Sequence, residues 1–305
     1  MTVRLIGACA GSALAFGLSA CGPSANTVAP NASAEAAPNF SGNWARQAIG
    51  LEPPSSGPGP VVKVKLLAGE GISVVGDHTN PILNSAAAEM VKRRGDAERR
   101  GEVLPDPSNQ CWPLPPLFGM SNQLQMQILQ QQDQVTIVNM SDQQVRRVRL
   151  SGEHPAHVTP SWSGDSVGHF DGKTLVVDTI GMKVGPFPMV DPYGTPQSEA
   201  LHIIERYQLV DYEAAKEAGD RAEEEQGYRV ESELFDGVMV DHDYKGKGLQ
   251  VQITVEDKNV FTTPWSGTLT YRRAAREWME RVCAENLRES NGKDRKVPTA
   301  DKPDF

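Results

Sequence analysis

Long runs of basic residues are missing from this chain, and so are patches in which basic and aromatic side chains alternate. The 305 residues include 30 basic and 39 acidic side chains, so the formal net charge is −9. A nucleic-acid partner requires a clustered positive surface, and the composition therefore disfavours one. Long helical periodicities are also few, whereas 28 glycines and 22 prolines occur along the chain. This combination is typical of a turn-rich protein built mainly from β-strands.

The first twenty residues, 1–20, have the composition of a processing segment. Arg4 supplies a positive charge, and the apolar stretch that follows is too short and too rich in small residues to span a membrane as a mature helix. The stretch ends in Leu-Ser-Ala-Cys, which resembles the bacterial lipobox, although an ordinary signal peptide with a chance cysteine would look similar. The resemblance implies cleavage before Cys21 and acyl chains on that residue, which would attach the protein to a bilayer. Glycine (Gly22), and not aspartate, follows the cysteine. By resemblance to sorted lipoproteins this favours the outer membrane of a Gram-negative cell, so we expect a lipid-anchored periplasmic protein.

Cysteine is scarce, with four residues in the chain. Cys9 leaves with the processing segment and Cys21 is the expected lipidation site, so Cys111 and Cys283 remain. In the oxidising periplasm an isolated pair most simply forms a disulfide, which here would close a loop of about 170 residues. A catalytic thiol is the alternative, but neither cysteine lies in a known nucleophile motif. A metal site is disfavoured, because no second cysteine or histidine lies at ligand spacing.

The rest of the chain divides into a flexible tether over 21–39, a single domain over 40–290 and a loose tail over 291–305. The domain is predicted to be mostly β: an antiparallel β-barrel or strongly curved sheet, lipocalin-like in general plan. Peripheral helices are expected near 80–100, with Asn80 as the cap, and at 211–225. Strands are expected at 61–67, in a hairpin over 126–140, and at 145–150, 174–179, 201–209, 227–235, 249–256 and 266–273. Residues 274–287 fit either a helix or a final strand.

Several blocks in the middle of the chain resemble a group of exported bacterial proteins of unassigned function. The blocks are HPAHVTPSWSGDSVGHFDGKTLVVDTIGM, SEALHIIERYQLVD, VEDKNVFTTPWSGTLTYRR and VCAENLRE, and they occur in the same order over residues 80–290. The group usually carries Gly-Arg-x-His where this chain has Gly-Glu-His ending at His154, and it usually has histidine where this chain has Gln197. The resemblance implies a shared fold and no established reaction.

The candidate catalytic residues are His154, Asp191, His202 and Glu205. His202 and Glu205 are three positions apart on a predicted strand, so their side chains should point to opposite faces. Glu205 shares its face with apolar residues and should point into the barrel. There it is either a general acid or base in a water-poor pocket, or the partner of an arginine such as Arg147 or Arg206.

Two further motifs support only weak hypotheses. His154 and His157 lie in one loop and could meet His169 or His202, but no HxH or HExxH spacing exists, so neither a metal nor another cofactor is predicted. A G-x-S-x-G pattern surrounds Ser166, but a strand and not a helix should follow it, which argues against a serine hydrolase. Asp178, at the end of an apolar strand, most simply serves a turn or cap.

Aromatic residues make up only 6% of the chain. The candidate ligand-binding aromatics are Trp44, Trp162, Tyr207 and Trp265, whose alternative role is core packing. Three functions remain open: a periplasmic lipoprotein that binds a small apolar or aromatic ligand, an envelope lyase, isomerase or hydrolase that uses histidine and carboxylate chemistry, and a structural lipoprotein without a ligand.

Overall fold

The computed structural model describes residues 37–66, 72–102, 104–122, 125–140, 143–226, 240–276 and 282–283. The strands are β1 Gly42–Ala45, β2 Val62–Leu66, β3 Ile72–Gly76, β4 Gln125–Gln130, β5 Gln134–Asn139, β6 Val145–Arg149, β7 Asp165–Asp171, β8 Thr174–Ile180, β9 His202–Val210, β10 Gly248–Glu256 and β11 Trp265–Arg273. The helices are α1 Ser85–Arg99, α2 Pro116–Asn122 and α3 Tyr212–Gln226.

Nine of these strands form a closed barrel in the order β1-β11-β10-β9-β8-β7-β6-β5-β4, and β4 returns to β1. Neighbouring strands are antiparallel, except that β6 and β7 run parallel. The prediction of a mostly β barrel with peripheral helices is confirmed, and the architecture is consistent with a lipocalin-like plan. β2 and β3 form a separate two-stranded sheet, so the strand expected at 61–67 exists but lies outside the barrel.

Large side chains fill the inside of the barrel. Residues that face each other across neighbouring strands point to the same side, so the registers identify one continuous inner face. Large side chains on this face with almost no exposed surface are Trp44, Met126, Ile128, Ile137, Leu175, Tyr207, Trp265 and Tyr271. Burial of each such side chain contributes roughly 1.5–3 kcal/mol, so this packing is the main source of stability.

The helices lie outside the barrel wall. α1 begins after Asn84, whose side chain accepts the Ala87 N–H at 2.9 Å. The predicted start at Asn80 was wrong, because the Asn80 side chain instead accepts the Ile82 N–H in a turn that precedes the helix. α3 appears where it was expected and packs on β10, where Gly248 gives Ala215 room to approach. α2 is not among the predicted helices; it begins at Pro116, and proline fits the first turn of a helix.

The predicted disulfide is present. Cys111 and Cys283 are bonded, with a Cα–Cα distance of 5.5 Å and 172 positions between them. The signal segment, the strand expected at 227–235, the tail 291–305 and most of 274–287 lie outside the described residues. Within the part of the chain that is described, helices of sufficient length and hydrophobicity to cross a membrane are absent.

Candidate functional site

Titratable side chains from four neighbouring strands meet on the outer face of the barrel. Asp165 lies at the start of β7, Asp178 near the end of β8, His202 at the start of β9 and Glu256 at the end of β10. The loop between β6 and β7 adds His154. These five residues are called the His–Asp cluster below. The register explains why these residues converge. β7–β8, β8–β9 and β9–β10 pair antiparallel, so the start of β7, the end of β8, the start of β9 and the end of β10 all lie at the same end of the barrel.

Both histidines of the His–Asp cluster contact the same carboxylate oxygen. Nε2 of His154 lies 3.1 Å and Nε2 of His202 lies 2.9 Å from Oδ1 of Asp178. The other ring nitrogen of each histidine faces a second carboxylate: Nδ1 of His154 is 2.7 Å from Asp165, and Nδ1 of His202 is 3.7 Å from Glu256. The result is an alternating row of carboxylates and imidazoles.

The loop that carries His154 is held against the end of β8. Ser161 pairs with Met182, and the Ser161 N–H donates to the carbonyl of Gly181 at 3.1 Å. Gly164, with φ of 69°, ends the loop where an added Cβ would lie 2.7 Å from the Ile180 carbonyl oxygen. Only glycine tolerates both the left-handed backbone and this approach. The loop therefore folds back over the strands and brings His154 to them.

Asp165 is held in its charged form. Its carboxylate accepts two hydrogen bonds from the guanidinium of Arg149, at 2.6 and 3.0 Å. These bonds, supported by the bond to His154 and opposed by burial, lower the pKa of Asp165 to about 2. An ionised Asp165 accepts a hydrogen bond from Nδ1–H of His154 and so fixes the orientation of that ring, as carboxylates do behind catalytic or metal-bound histidines.

The hydrogen-bonding pattern requires a shared proton. When Nδ1 of His154 donates to Asp165, a neutral ring has a lone pair on Nε2, which faces a carboxylate oxygen of Asp178. The contact is favourable only if a further proton lies on His154 or on Asp178. His202 needs no extra proton, because its Nδ1 lies 3.7 Å from Glu256, too far for a hydrogen bond, and a neutral ring can donate from Nε2 to Asp178. The hydrogen bonds of Asp178 to His154 and His202 thus give the His–Asp cluster a continuous path for a proton that needs no displacement of heavy atoms.

Glu205 does not belong to the His–Asp cluster. As predicted, it points to the opposite face from His202, and it lies inside the barrel. Its partner is Arg146, whose Nη2 donates to Oε1 at 2.9 Å, so the predicted pairing with an arginine is present, although Arg147 and Arg206 were the wrong candidates for it. Arg147 is exposed, because it occupies the outward position of β6. A buried, paired carboxylate has no access to a substrate in this arrangement.

Asp191 is also separate from the His–Asp cluster. It is buried in the loop between β8 and β9, where Oδ1 accepts the N–H groups of Tyr193 at 2.9 Å and Thr195 at 3.2 Å. Burial raises the pKa of Asp191 to about 6, although these backbone donors act in the opposite direction. Its contacts are those of a residue that shapes its own loop.

The remaining polar candidates are dispersed. His157 and His169 are exposed, and His169 and Asp165 lie on β7, which is not among the predicted strands. Among the residues that the structure describes, groups of three or more His, Cys, Asp or Glu side chains placed to hold a metal ion are absent. Ser166 points inward and shares a hydrogen bond of 2.9 Å with Thr179, so it is not the exposed serine of a hydrolase elbow.

The candidate ligand-binding aromatics fall into two groups. Trp44, Tyr207 and Trp265 are fully buried in the barrel core. Trp162 is partly exposed; its ring lies 5.4 Å from that of Trp112, and the ammonium of Lys183 lies over it at 5.0 Å. In this conformation only Trp162 offers surface to a ligand.

The sequence did not identify Asp178 as the centre of a site. The alternation of side chains along the strands could have indicated it. Asp178 and His202 both occupy outward positions of neighbouring strands, close to the strand ends. Comparison of the chain with models of protein families, with curated proteins and with solved structures gave no match, so neither the resemblance to the exported bacterial group nor the signal segment gains support from them.

Proposed function

We propose that the His–Asp cluster performs general acid–base catalysis on a small substrate, as a lyase, isomerase or hydrolase. The observation that carries the proposal is the approach of two imidazole Nε2 atoms to one oxygen of Asp178, at 2.9 and 3.1 Å. Histidines oriented by carboxylates are the usual means of proton transfer near neutral pH. The role is assigned to His154, Asp178 and His202, of which the sequence had proposed the two histidines.

The side chains of the His–Asp cluster differ in their exposed fraction, and this suggests a different role for each. The side chains of Asp178 and His202 are 39% and 30% exposed, whereas His154 is 19% exposed. A substrate therefore meets Asp178 and His202 first. His202 takes or gives the substrate proton at the surface, Asp178 links the two rings, and His154, oriented by Asp165, holds the proton between steps.

The proposal is tested with the purified protein, after treatment with a chelator, against chromogenic esters, β-hydroxy carbonyl compounds and enolisable ketones. We expect acceleration of at least one class. His202→Gln should lower kcat/KM for that class by about 100-fold or more, whereas His169→Gln, an exposed histidine on β7, should leave it unchanged. Failure with all three classes, or equal rates for the two variants, would contradict the proposal.

Binding of a small apolar or aromatic ligand is the second candidate function. Side chains occupy the inside of the barrel, which does not favour a ligand there. One observation favours binding elsewhere: a cleft of about 270 Å³ lies outside the barrel between α3, β11 and the segment after β1. Its lining combines apolar and polar side chains, as small-molecule sites usually do.

We also propose that the protein is anchored by acylated Cys21 in the periplasm, at the outer membrane of a Gram-negative cell. The lipobox resemblance and the tether composition support the anchor, and the Cys111–Cys283 disulfide is compatible with an oxidising compartment. Mass spectrometry of the N-terminal peptide should find acyl chains on Cys21. An unmodified Cys21 in the membrane-extracted protein would contradict the anchor.

A further inference from the structure

We infer that the cleft beside α3 binds a compact, neutral, largely apolar molecule that carries one hydrogen-bond donor, such as a phenol. The inference rests on the second candidate function and names the ligand class. It is independent of the His–Asp cluster, which lies on other strands.

The cleft exists because the chain bulges between two pairings with β11. Ala45 pairs with Arg272, and the next pairing on that edge joins Glu52 to Thr268. The six residues 46–51 thus lie opposite only three, 269–271, and this surplus of three makes the segment leave the barrel wall. The strand register itself fixes these extra residues, so the cleft does not close by a small shift of side chains.

Arg46 holds the bulge in its shape. Its guanidinium is buried and donates to the carbonyls of Gly50 at 2.7 Å, Met120 at 2.8 Å and Ser121 at 3.0 Å. These bonds join the bulge to the end of α2. The cleft is therefore preformed, and a ligand does not have to order it.

Small residues on α3 leave the cleft open on its other side. Ala218 and Ala222 line the cleft. Gly219 leaves room for the Gln47 amide, with which an added Cβ would clash. The volume of the cleft is about 270 Å³. Sites for drug-sized ligands begin at roughly 300 Å³, so this cleft suits a molecule with a single ring. Further apolar lining comes from Ile49, Leu51, Pro53, Pro60 and Val62.

Two polar atoms in the lining define what the ligand must offer. Gln47 is only 5% exposed; its Nε2 donates to Glu223 at 2.9 Å, which assigns its oxygen to the other side. That oxygen, which lies against Gly219 of α3, and the hydroxyl of Thr270 are buried behind the surface of the cleft and have no hydrogen-bond partner among the described residues, so a ligand reaches them through a turn of the side chain. The amide oxygen can only accept a hydrogen bond, so the ligand must supply a donor.

The charges around the cleft disfavour an anion. The carboxylates Glu52 and Glu225 belong to the lining, whereas the cation Arg46 already donates to three carbonyls. Glu52 is paired with Arg221 at 3.0 Å, so the local charge is largely balanced. A neutral ligand meets the acceptor without the cost of burying a charge.

The test compares three probes of equal ring size by calorimetry and ligand-observed NMR with the full protein: p-cresol, 4-methylanisole, which lacks the donor, and 4-methylbenzoate, which is charged. We expect p-cresol to bind about tenfold more tightly than 4-methylanisole, and 4-methylbenzoate not to bind. Ala222→Leu, which fills the cleft from α3, should weaken p-cresol binding at least tenfold. Ala214→Leu, the same change at an exposed position of α3, should leave it unchanged.

A second variant covers the case in which Ala222→Leu does not fold. Gln47→Met keeps the length of the side chain and removes the acceptor. The affinity for p-cresol should therefore fall to the affinity for 4-methylanisole. Equal binding of p-cresol and 4-methylanisole, both blocked by Ala222→Leu, would refute the ligand class and leave ligand binding in place. Binding that is insensitive to both variants would refute this site, and binding of no probe would refute the site and the binding function together.

Discussion

Replacement of Arg146 with methionine is expected to lower the free energy of unfolding by about 3–5 kcal/mol. Arg146 and Glu205 are 4% and 1% exposed, and Nη1 of Arg146 lies 2.7 Å from Oε2 of Glu205. Burial by itself would lower the pKa of Arg146, but attraction to Glu205 outweighs it and raises the pKa, so Arg146 stays charged. The variant leaves the Glu205 carboxylate buried without its bidentate cation, which is why the cost is large.

The Tyr207 hydroxyl cannot replace the lost cation. It lies 3.0 Å from Nη2 of Arg146 and 3.1 Å from Oε1 of Glu205, and burial raises its pKa well above the usual value. The whole network can be removed together, however. The variant Arg146→Met, Glu205→Leu, Tyr207→Phe leaves no polar group of this network unpaired, so most of the lost stability should return.

Urea unfolding followed by tryptophan fluorescence measures both effects. Arg147→Met is the matched control, since Arg147 is the exposed neighbour on β6, and its effect should stay within about 0.5 kcal/mol. If Arg146→Met and Arg147→Met cost the same, Arg146 is not the buried partner of Glu205. If the triple variant is no more stable than Arg146→Met, the buried network itself adds to the free energy of unfolding. That result would contradict the view that its members only balance one another's burial cost.

Asp191→Asn is expected to change stability in a way that depends on pH. The pKa of Asp191 is about 6 in the folded protein, above the usual value for an unfolded chain. The folded state therefore binds more protons between these two values, and stability falls as pH rises through this window. Above pH 6 the buried charge costs about 3 kcal/mol relative to its protonated form. Asparagine lacks this charge and keeps an acceptor for the backbone N–H groups.

The measurement is the free energy of unfolding at pH 4 and pH 7.5. From the lower to the higher pH, the stability of Asp191→Asn relative to the wild type should increase by about 2 kcal/mol, because pH 4 already lies within the window. Asp133→Asn, an exposed carboxylate in the hairpin turn between β4 and β5, should follow the wild type at both values. Parallel pH curves for Asp191→Asn and the wild type would mean that Asp191 stays ionised in the folded protein at no cost.

Strand parity was readable from the sequence in some strands and ambiguous in others. In β9 regular alternation correctly separated His202 from Glu205. In β6 the sequence Val-Arg-Arg-Val-Arg has two valines of opposite parity, so alternation cannot decide which arginine faces inward. The structure buries Val148 and leaves Val145 45% exposed, which turns Arg146 inward. The choice depends on the register with β5 and β7, which a single strand does not contain.

β7 was missed for a related reason. Its inward positions include Ser166 and Gly168, which lack the apolar signal of a barrel strand. Ser166 is tolerated inside because it shares a hydrogen bond with Thr179, and Gly168 because Val148 packs directly against it. The position of His154 was also not predictable from its neighbours, because it depends on the pairing of Ser161 with Met182.

The cleft beside α3 had no sequence signal. It results from a difference in length between two segments that become neighbours only when the barrel closes. The glutamine and threonine that line it are ordinary surface residues by composition. Features of this kind require the tertiary structure, whereas the disulfide, the β-class and α3 follow from local composition and pattern.

The most direct test of the central claim, that Asp178 joins two histidines into one proton-transfer unit, is the kcat/KM of Asp178→Asn on the substrate class that the wild type accelerates. Asparagine has a similar shape but cannot exchange the shared proton. Residues that act as a unit show non-additive losses, so Asp178→Asn should lose as much activity as the double variant His154→Gln, His202→Gln, about 100-fold or more. Near-wild-type activity of Asp178→Asn, in a variant that folds normally, would contradict the claim.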